Sequence, residues 1–270
     1  MRLLLSWFIL FFLTAATLSA AQQTPLRVAV IGGMMMSGMW QKVAEAFEER
    51  YHIPVEVVVS GPKHELDAYC RSAAVDLVTM HASDVMVDLA ADGVVEQLTP
   101  WVRNAQMIVG HLDNPARIDA NDTLKQALEK IERSGAAFLI HASGGTFEVY
   151  SAMRSRYGFN PDAQQVHFTT KKRAFLYDVA KLKGYTLYGV IPFLMKKQFH
   201  PDMRGFVFDD PALRRPYLAA IGTKEHIGQT RYEHARLLLA FLGSRQIQEL
   251  IRSYRISGFE NYPVFFPVKQ

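Results

Sequence analysis

The chain has 270 residues, 49% hydrophobic and 21% charged, with a formal net charge of +4 at pH 7. That composition excludes an intrinsically disordered chain and leaves length for one sizeable core or two smaller ones. Lys and Arg are scattered along helix faces with no basic stripe interleaved with aromatics, which argues against a nucleic-acid partner. The densest run, Lys171-Lys172-Arg173, reads as a solvated helix start.

Residues 1–21 read as a secretory signal peptide. Arg2 supplies the positive start, residues 3–13 the apolar stretch and residues 14–21 the small-residue end, with cleavage after Ala21. The apolar run is shorter than the roughly 20 residues a bilayer span needs. Cys70 is the sole cysteine. The chain therefore has no intramolecular disulfide and no lipid-accepting cysteine after the signal, and the expected product is periplasmic, soluble and monomeric.

The first elements form a βαβ unit. An apolar strand (26–31) runs into a Gly- and Met-rich loop (32–38). A helix follows with Trp40, Val43, Ala44 and Phe47 on one face, then a β-branched strand (55–59). A loop that leaves a buried strand and opens a helix points free backbone N–H groups into a crevice, where the helix dipole favours an anion. Ser60-Gly61-Pro62 forms a second such loop. The next helix aligns Leu66, Tyr69, Cys70 and Ala73, which places Cys70 in the core as a small hydrophobe. A third strand (76–80) leads through His81 to Ser83, the N-cap of a helix that ends at Gly93. Three βα repeats predict a parallel sheet whose ligand site lies outside the strands' carboxyl ends.

The pattern changes after Pro100. A strand (106–110) is followed by a polar connection (111–122), where a crossover between domains fits. Leu124, Ala127, Leu128 and Ile131 then mark a helix stopped by Ser134-Gly135. A strand (137–141) runs into Ala142-Ser143-Gly144-Gly145-Thr146 and a helix (147–157), which repeats the construction of loop 32–38 with more hydroxyls. Beyond these come a helix (173–182), a strand (185–187), a short apolar helix near Pro192, strands (203–208 and 217–221), helices (232–242 and 246–254) and an extended tail (263–268).

Several chemistries are weighed against these loops. Gly33 and Gly38 have the outer spacing of a P-loop, but Met39-Trp40 stand where Lys and Ser or Thr must be, so nucleoside triphosphate binding is rejected. The glycine spacing also fails a dinucleotide fingerprint. Ser143 sits between a strand and a helix like a nucleophile elbow, although His141 replaces the glycine that motif requires; a secreted serine hydrolase is the enzyme alternative. His64, His81 and His141, with Met34, Met35, Met36 and Met80, make a soft-metal (copper) site the other alternative.

Taken together, several segments resemble the tungstate-binding periplasmic proteins of ABC importers. They are the signal peptide, the Ser-ending loop, His81-Ala82, Ile108-Val109-Gly110 with Asp113-Asn114-Pro115-Ala116, and residues 143–146. Later matches are Asp209-Asp210-Pro211-Ala212-Leu213, Arg215-Pro216-Tyr217 and the ending with Phe265-Phe266-Pro267. The resemblance implies an α/β fold, the two-lobed type II periplasmic binding protein, each lobe a mostly parallel sheet flanked by helices. It implies a first lobe of residues 22–106 and 215–270, a second of 107–214, and hinges near 105–109 and 218–221. Where the family has a run of threonines, this chain has Met34-Met35-Met36-Ser37, and the arginine that precedes the family's Ser-Gly-Thr has no counterpart before Ser143. Such an arginine is a charge-assisted donor worth about 1.5 to 3 kcal/mol per bond.

The expected function is an extracytoplasmic solute-binding protein that holds an oxyanion of the tungstate/molybdate type between two lobes and delivers it to a membrane ABC permease. It needs no enzyme chemistry, no cofactor and no resident metal. The expected ligand contacts are Met36, Ser37, Ser60, Gly61, His141, Ser143, Gly145, Thr146 and Tyr188.

Overall fold

The computed structural model describes residues 24–142, 145–162, 165–170 and 175–268. The expected signal peptide, Ser143, Gly144 and the Lys171-Lys172-Arg173 run lie outside the described residues.

The amino-terminal half builds a sheet from parallel strands. Strand β1 (Leu26–Ile31) passes directly into a short helix α1 (Gly32–Met36), then α2 (Met39–Tyr51), β2 (Val55–Gly61), α3 (Lys63–Ser72), β3 (Leu77–His81) and α4 (Asp84–Ala91). Strands β2 and β3 both pair with β1 in parallel. The α2 face forms as its periodicity requires: Met39, Trp40, Val43 and Phe47 are buried, and each large side chain removed from water stabilises by about 1.5–3 kcal/mol. Trp40 meets Trp101 edge-on at 6.2 Å, and Trp101 Nε1 donates to Thr79 Oγ1 at 2.8 Å. Cys70 is fully buried and burial pushes its thiol up to about 12, so it is inert packing.

Strand β4 (Val95–His111) is far longer than the 106–110 strand read from sequence. The second half follows as α5 (Leu124–Ser134), β5 (Phe138–His141), α6 (Gly145–Tyr157), β6 (Val166–Thr169), α7 (Phe175–Lys181), β7 (Tyr185–Gly189), α8 (Val190–Lys196) and β8 (Met203–Phe206). Strands β6 and β7 pair in parallel with β5. Helix α5 starts on a capping box between Thr123 and Gln126 and stops at Gly135, whose φ of 68° an L side chain rarely adopts. The chain returns through β9 (Arg214–Gly222) to α9 (Lys224–Ile227), α10 (Gln229–Leu242), α11 (Arg245–Ser253) and β10 (Phe265–Pro267).

All strands join one mixed sheet in the order β2-β1-β3-β9-β4-β7-β5-β6, with β8 and β10 pairing β4. Its centre is antiparallel. β4 pairs β9 up to Ala105, opposite Arg214, and from Gln106 onward pairs β7 and β8 instead. β9 begins pairing with β4 at Arg214, and Leu218 to Ile221 pair with β3 inside the sheet. The carboxyl ends of both parallel sets therefore face each other across β4 and β9.

Asp76, just ahead of β3, is fully buried and ties α10 to this sheet. Its Oδ2 accepts from the Arg27 backbone N–H at 2.7 Å, and Arg231 Nη2 lies 2.8 Å from Oδ1 in a Coulombic contact outside hydrogen-bond geometry. Burial raises the Asp76 pKa, opposed by these two partners. Asp76→Ala strands a buried N–H and a partly buried guanidinium, and the expected cost is about 2–4 kcal/mol, read as a lower urea midpoint. An unchanged midpoint would contradict this account of how α10 is tied to the sheet.

Candidate functional site

A cavity of about 330 Å³ occupies the junction of the two carboxyl-end faces. The first half contributes Gly33 and Met36 from α1 and His81 from the end of β3. The second contributes Thr146 from α6 and Tyr188 and Gly189 from the end of β7, with Ile191 and Pro192 from α8. The central ribbon supplies its floor: Asn104 and Gln106 of β4, and Arg215 and Tyr217 of β9. Two-residue spacing puts each pair on one face of its strand, and Asn104 lies directly opposite Arg215 in register. A larger depression of about 530 Å³ takes its lining from residues 150–168 alone and does not join the halves.

Arg215 is the principal cation of the cavity. Its side chain is only 14% exposed, and Nη2 lies 3.2 Å from Glu148 Oε2 on α6. A Cβ at position 145 would fall within the Arg215 guanidinium, so glycine there lets the cation lie flat against the α6 backbone. Lys63, at the start of α3, is half-buried; burial lowers its pKa first and the Arg215 charge second. Lys63 lies outside the cavity lining but near enough to feel the Arg215 charge, so both cations favour an anion at the cleft.

A neutral network braces the floor. Asn104 Nδ2 lies 3.1 Å from His81 Nε2 and donates to the Tyr217 hydroxyl at 3.1 Å, while the His81 and Tyr217 rings lie 4.1 Å apart, tilted by 33°. Burial, then Arg215 and Lys63, push the His81 pKa down to about 3, so its imidazole is uncharged at neutral pH. Burial likewise raises the Tyr217 pKa and keeps its hydroxyl protonated. Gln106 Nε2 donates to Thr146 Oγ1 at 3.4 Å and links the ribbon to α6.

No family model matches the chain. It is 22% identical over 237 residues to a Haloferax volcanii protein with the provisional name ABC transporter anion-binding protein, covering 86% of this chain and 68% of the relative. Its structure is similar to that of the tungstate binding protein from Desulfovibrio alaskensis G20, with a TM-score of 0.73 and 19% identity over 92% of this chain and all of that one. It is also similar to a tungstate ABC transporter structure from Geobacter sulfurreducens, with a TM-score of 0.67 and 19% identity over 85% of this chain and 98% of that one. The chain has the fold of the periplasmic solute-binding proteins.

The structure brings some of the expected contacts together and leaves others apart. Met36, Thr146 and Tyr188 line the cavity, and Gly145 backs Arg215. Residues 32–36, read from sequence as part of a loop, form helix α1, and this rotates the expected contacts by helical geometry. Gly33 and Met36 face the cavity, while Met34 is buried and Ser37 turns inward, its Oγ donating to the Met34 carbonyl at 3.1 Å. The Ser37 carbonyl is taken by the Tyr254 hydroxyl. Ser60 and Gly61 end β2 outside the cavity lining, with Glu65 folded over Gly61. His141 packs edge-on to Phe175 at 6.1 Å and is also absent from the lining. Ser143 lies outside the described residues. Among the described residues no group of three or more His, Cys, Asp or Glu is arranged to hold a metal.

Arg215, Asn104, Gln106 and Tyr217 are the site residues that motif reading misses. Arg215-Pro216-Tyr217 is visible in the sequence as part of the resemblance, but nothing local says that a strand residue so far from the glycine loops faces them. His81 offers a direct check. Its folded pKa lies below its usual 6.5, so the unfolded chain binds more protons between about pH 3 and 6.5. Stability from this group is intact above that window and is lost as pH falls through it. A thermal melting series should show a shallower acid loss for His81→Gln than for the native chain; parallel curves would contradict a buried neutral His81.

Proposed function

We propose that this chain is the extracytoplasmic solute-binding component of an ABC importer, which captures a small oxyanion in the cleft between two lobes and presents it to a membrane permease. The lobes are taken as 22–106 with 215–270, and 107–214, after removal of residues 1–21. The observation that carries the reading is the Arg215 guanidinium, mostly buried at the junction of two βα carboxyl-end faces. Open α/β sheets bind ligands at that position, and a buried guanidinium with a neutral polar floor is a receptor for an anion. The tungstate and anion-binding names of the similar proteins support the same reading.

The mechanism follows from which half supplies which group. Arg215 and Asn104 belong to the central ribbon, Gly33 and Met36 to the first half, Thr146 and the α6 amino terminus to the second. An anion that accepts from Arg215 and from the α6 end together bonds more fully when the cleft is shut, and this difference in contact drives closure. Arg215, which the chain shares with the resembling family, is proposed to anchor the anion from β9, its guanidinium lying against Gly145. Ser143, next to Gly144 and Gly145 in sequence, is proposed to add a hydroxyl donor. No bond is made or broken in the ligand, and Met36 and Tyr188 shape the cleft wall.

Calorimetric titration with phosphate, sulfate, molybdate and tungstate tests the reading. At least one should bind the native chain, and Arg215→Ala should weaken that binding roughly 10- to 150-fold, as expected for loss of charge-assisted bonds. Equal affinity in the variant would remove Arg215, and with it this site, from ligand capture.

A further inference from the structure

The cavity lining holds two amide oxygens that a bare anion cannot satisfy, and a carboxylate stands just outside it. Glu148 Oε2 stands 3.2 Å from Arg215 Nη2, and the Glu148 charge also favours the protonated form of Lys63, so one carboxylate lies within electrostatic reach of both cations. Gln106 is 4% exposed and lines the cavity; with Nε2 directed to Thr146, its Oε1 has no donor among the described residues. Asn104 gives Nδ2 to His81 and Tyr217, which leaves its Oδ1 also without a donor among the described residues. A buried acceptor that lacks a donor is a standing cost, which a ligand carrying a donor relieves.

We propose that the site selects an oxyanion that keeps a proton, of the hydrogen-phosphate type, over fully deprotonated dianions such as sulfate, molybdate and tungstate. The inference rests on the anion-capture reading above and names the class of anion. A fully deprotonated dianion offers only acceptors: it bonds Arg215 but repels Glu148 and leaves both amide oxygens unpaired. A protonated oxyanion accepts from Arg215 through one oxygen and donates through its hydroxyl to Glu148 or Gln106. A site built to pair a ligand hydroxyl rejects analogues that lack it far more strongly than one that reads shape alone. Glu148 is 62% exposed in the first turn of α6 and outside the cavity lining, so altering it changes the cleft's charge without opening the core.

Titration calorimetry of the purified native chain with inorganic phosphate, sulfate, molybdate and tungstate at neutral pH tests this, alongside Glu148→Gln. Phosphate should bind about 100-fold or more tighter than the other three, and Glu148→Gln should narrow that preference by about tenfold or more by strengthening sulfate and tungstate binding. Sulfate, molybdate or tungstate binding as tightly as phosphate would overturn the selectivity and leave anion capture standing. A phosphate preference unchanged in Glu148→Gln would overturn the role given to that carboxylate. Failure of all four anions to bind would overturn this inference together with the reading beneath it.

Discussion

The structure depends on a single constraint, the antiparallel ribbon of β4 and β9 through which the two halves of the sheet are joined. Each half is a parallel βα arrangement whose helix-entry loops gather at one edge, and alone each would present a shallow crevice. The switch of β4 from β9 to β7 and β8 between Ala105 and Gln106 turns the two edges toward each other. Ala105 is buried in the core while Asn104 and Gln106 line the cavity, so the pleat itself sorts packing from recognition. Arg215 and Tyr217 repeat that alternation on the facing strand.

The electrostatics of the cleft follow from that floor. A guanidinium on a buried strand needs a partner, and in the ligand-free chain Glu148 of α6 fills that role from the opposite half. On the floor beside it, His81 is held neutral by burial and by Arg215 itself, and Tyr217 stays protonated. The glycine at 145 matters because it leaves room for the flat guanidinium. Shape, charge and backbone thus depend on one another, and a change at any of them moves Arg215.

Much of the fold was legible in the sequence where periodicity was strong. The faces of α2 and α5, the buried Cys70 and the alternation of strands with helices appear as read, because each is set by neighbours within a turn or two. β4 was read short because its first part has register irregularities near Thr99 and Pro100 and half-exposed residues that blur the alternation. β6 was missed because its four residues are only partly buried or exposed. Of the expected contacts, Met36 and Thr146, read from their place after strands, and Tyr188, taken from the resemblance, line the cavity. The ribbon residues were not read as contacts, since which face of β9 meets the cleft is decided by pairing with β4 more than a hundred positions earlier. The triple methionine looked like a loop because Gly and Met carry no helical signature over five residues, and its folding as α1 is what moved Ser37 away.

The central claim is that the two halves shut on an anion held at Arg215. Small-angle X-ray scattering of the native chain, with and without a saturating concentration of the anion that binds it most tightly, tests this most directly. The account predicts a smaller radius of gyration on binding and no such change in Arg215→Ala under the same conditions. An unchanged radius in the liganded native chain would contradict it.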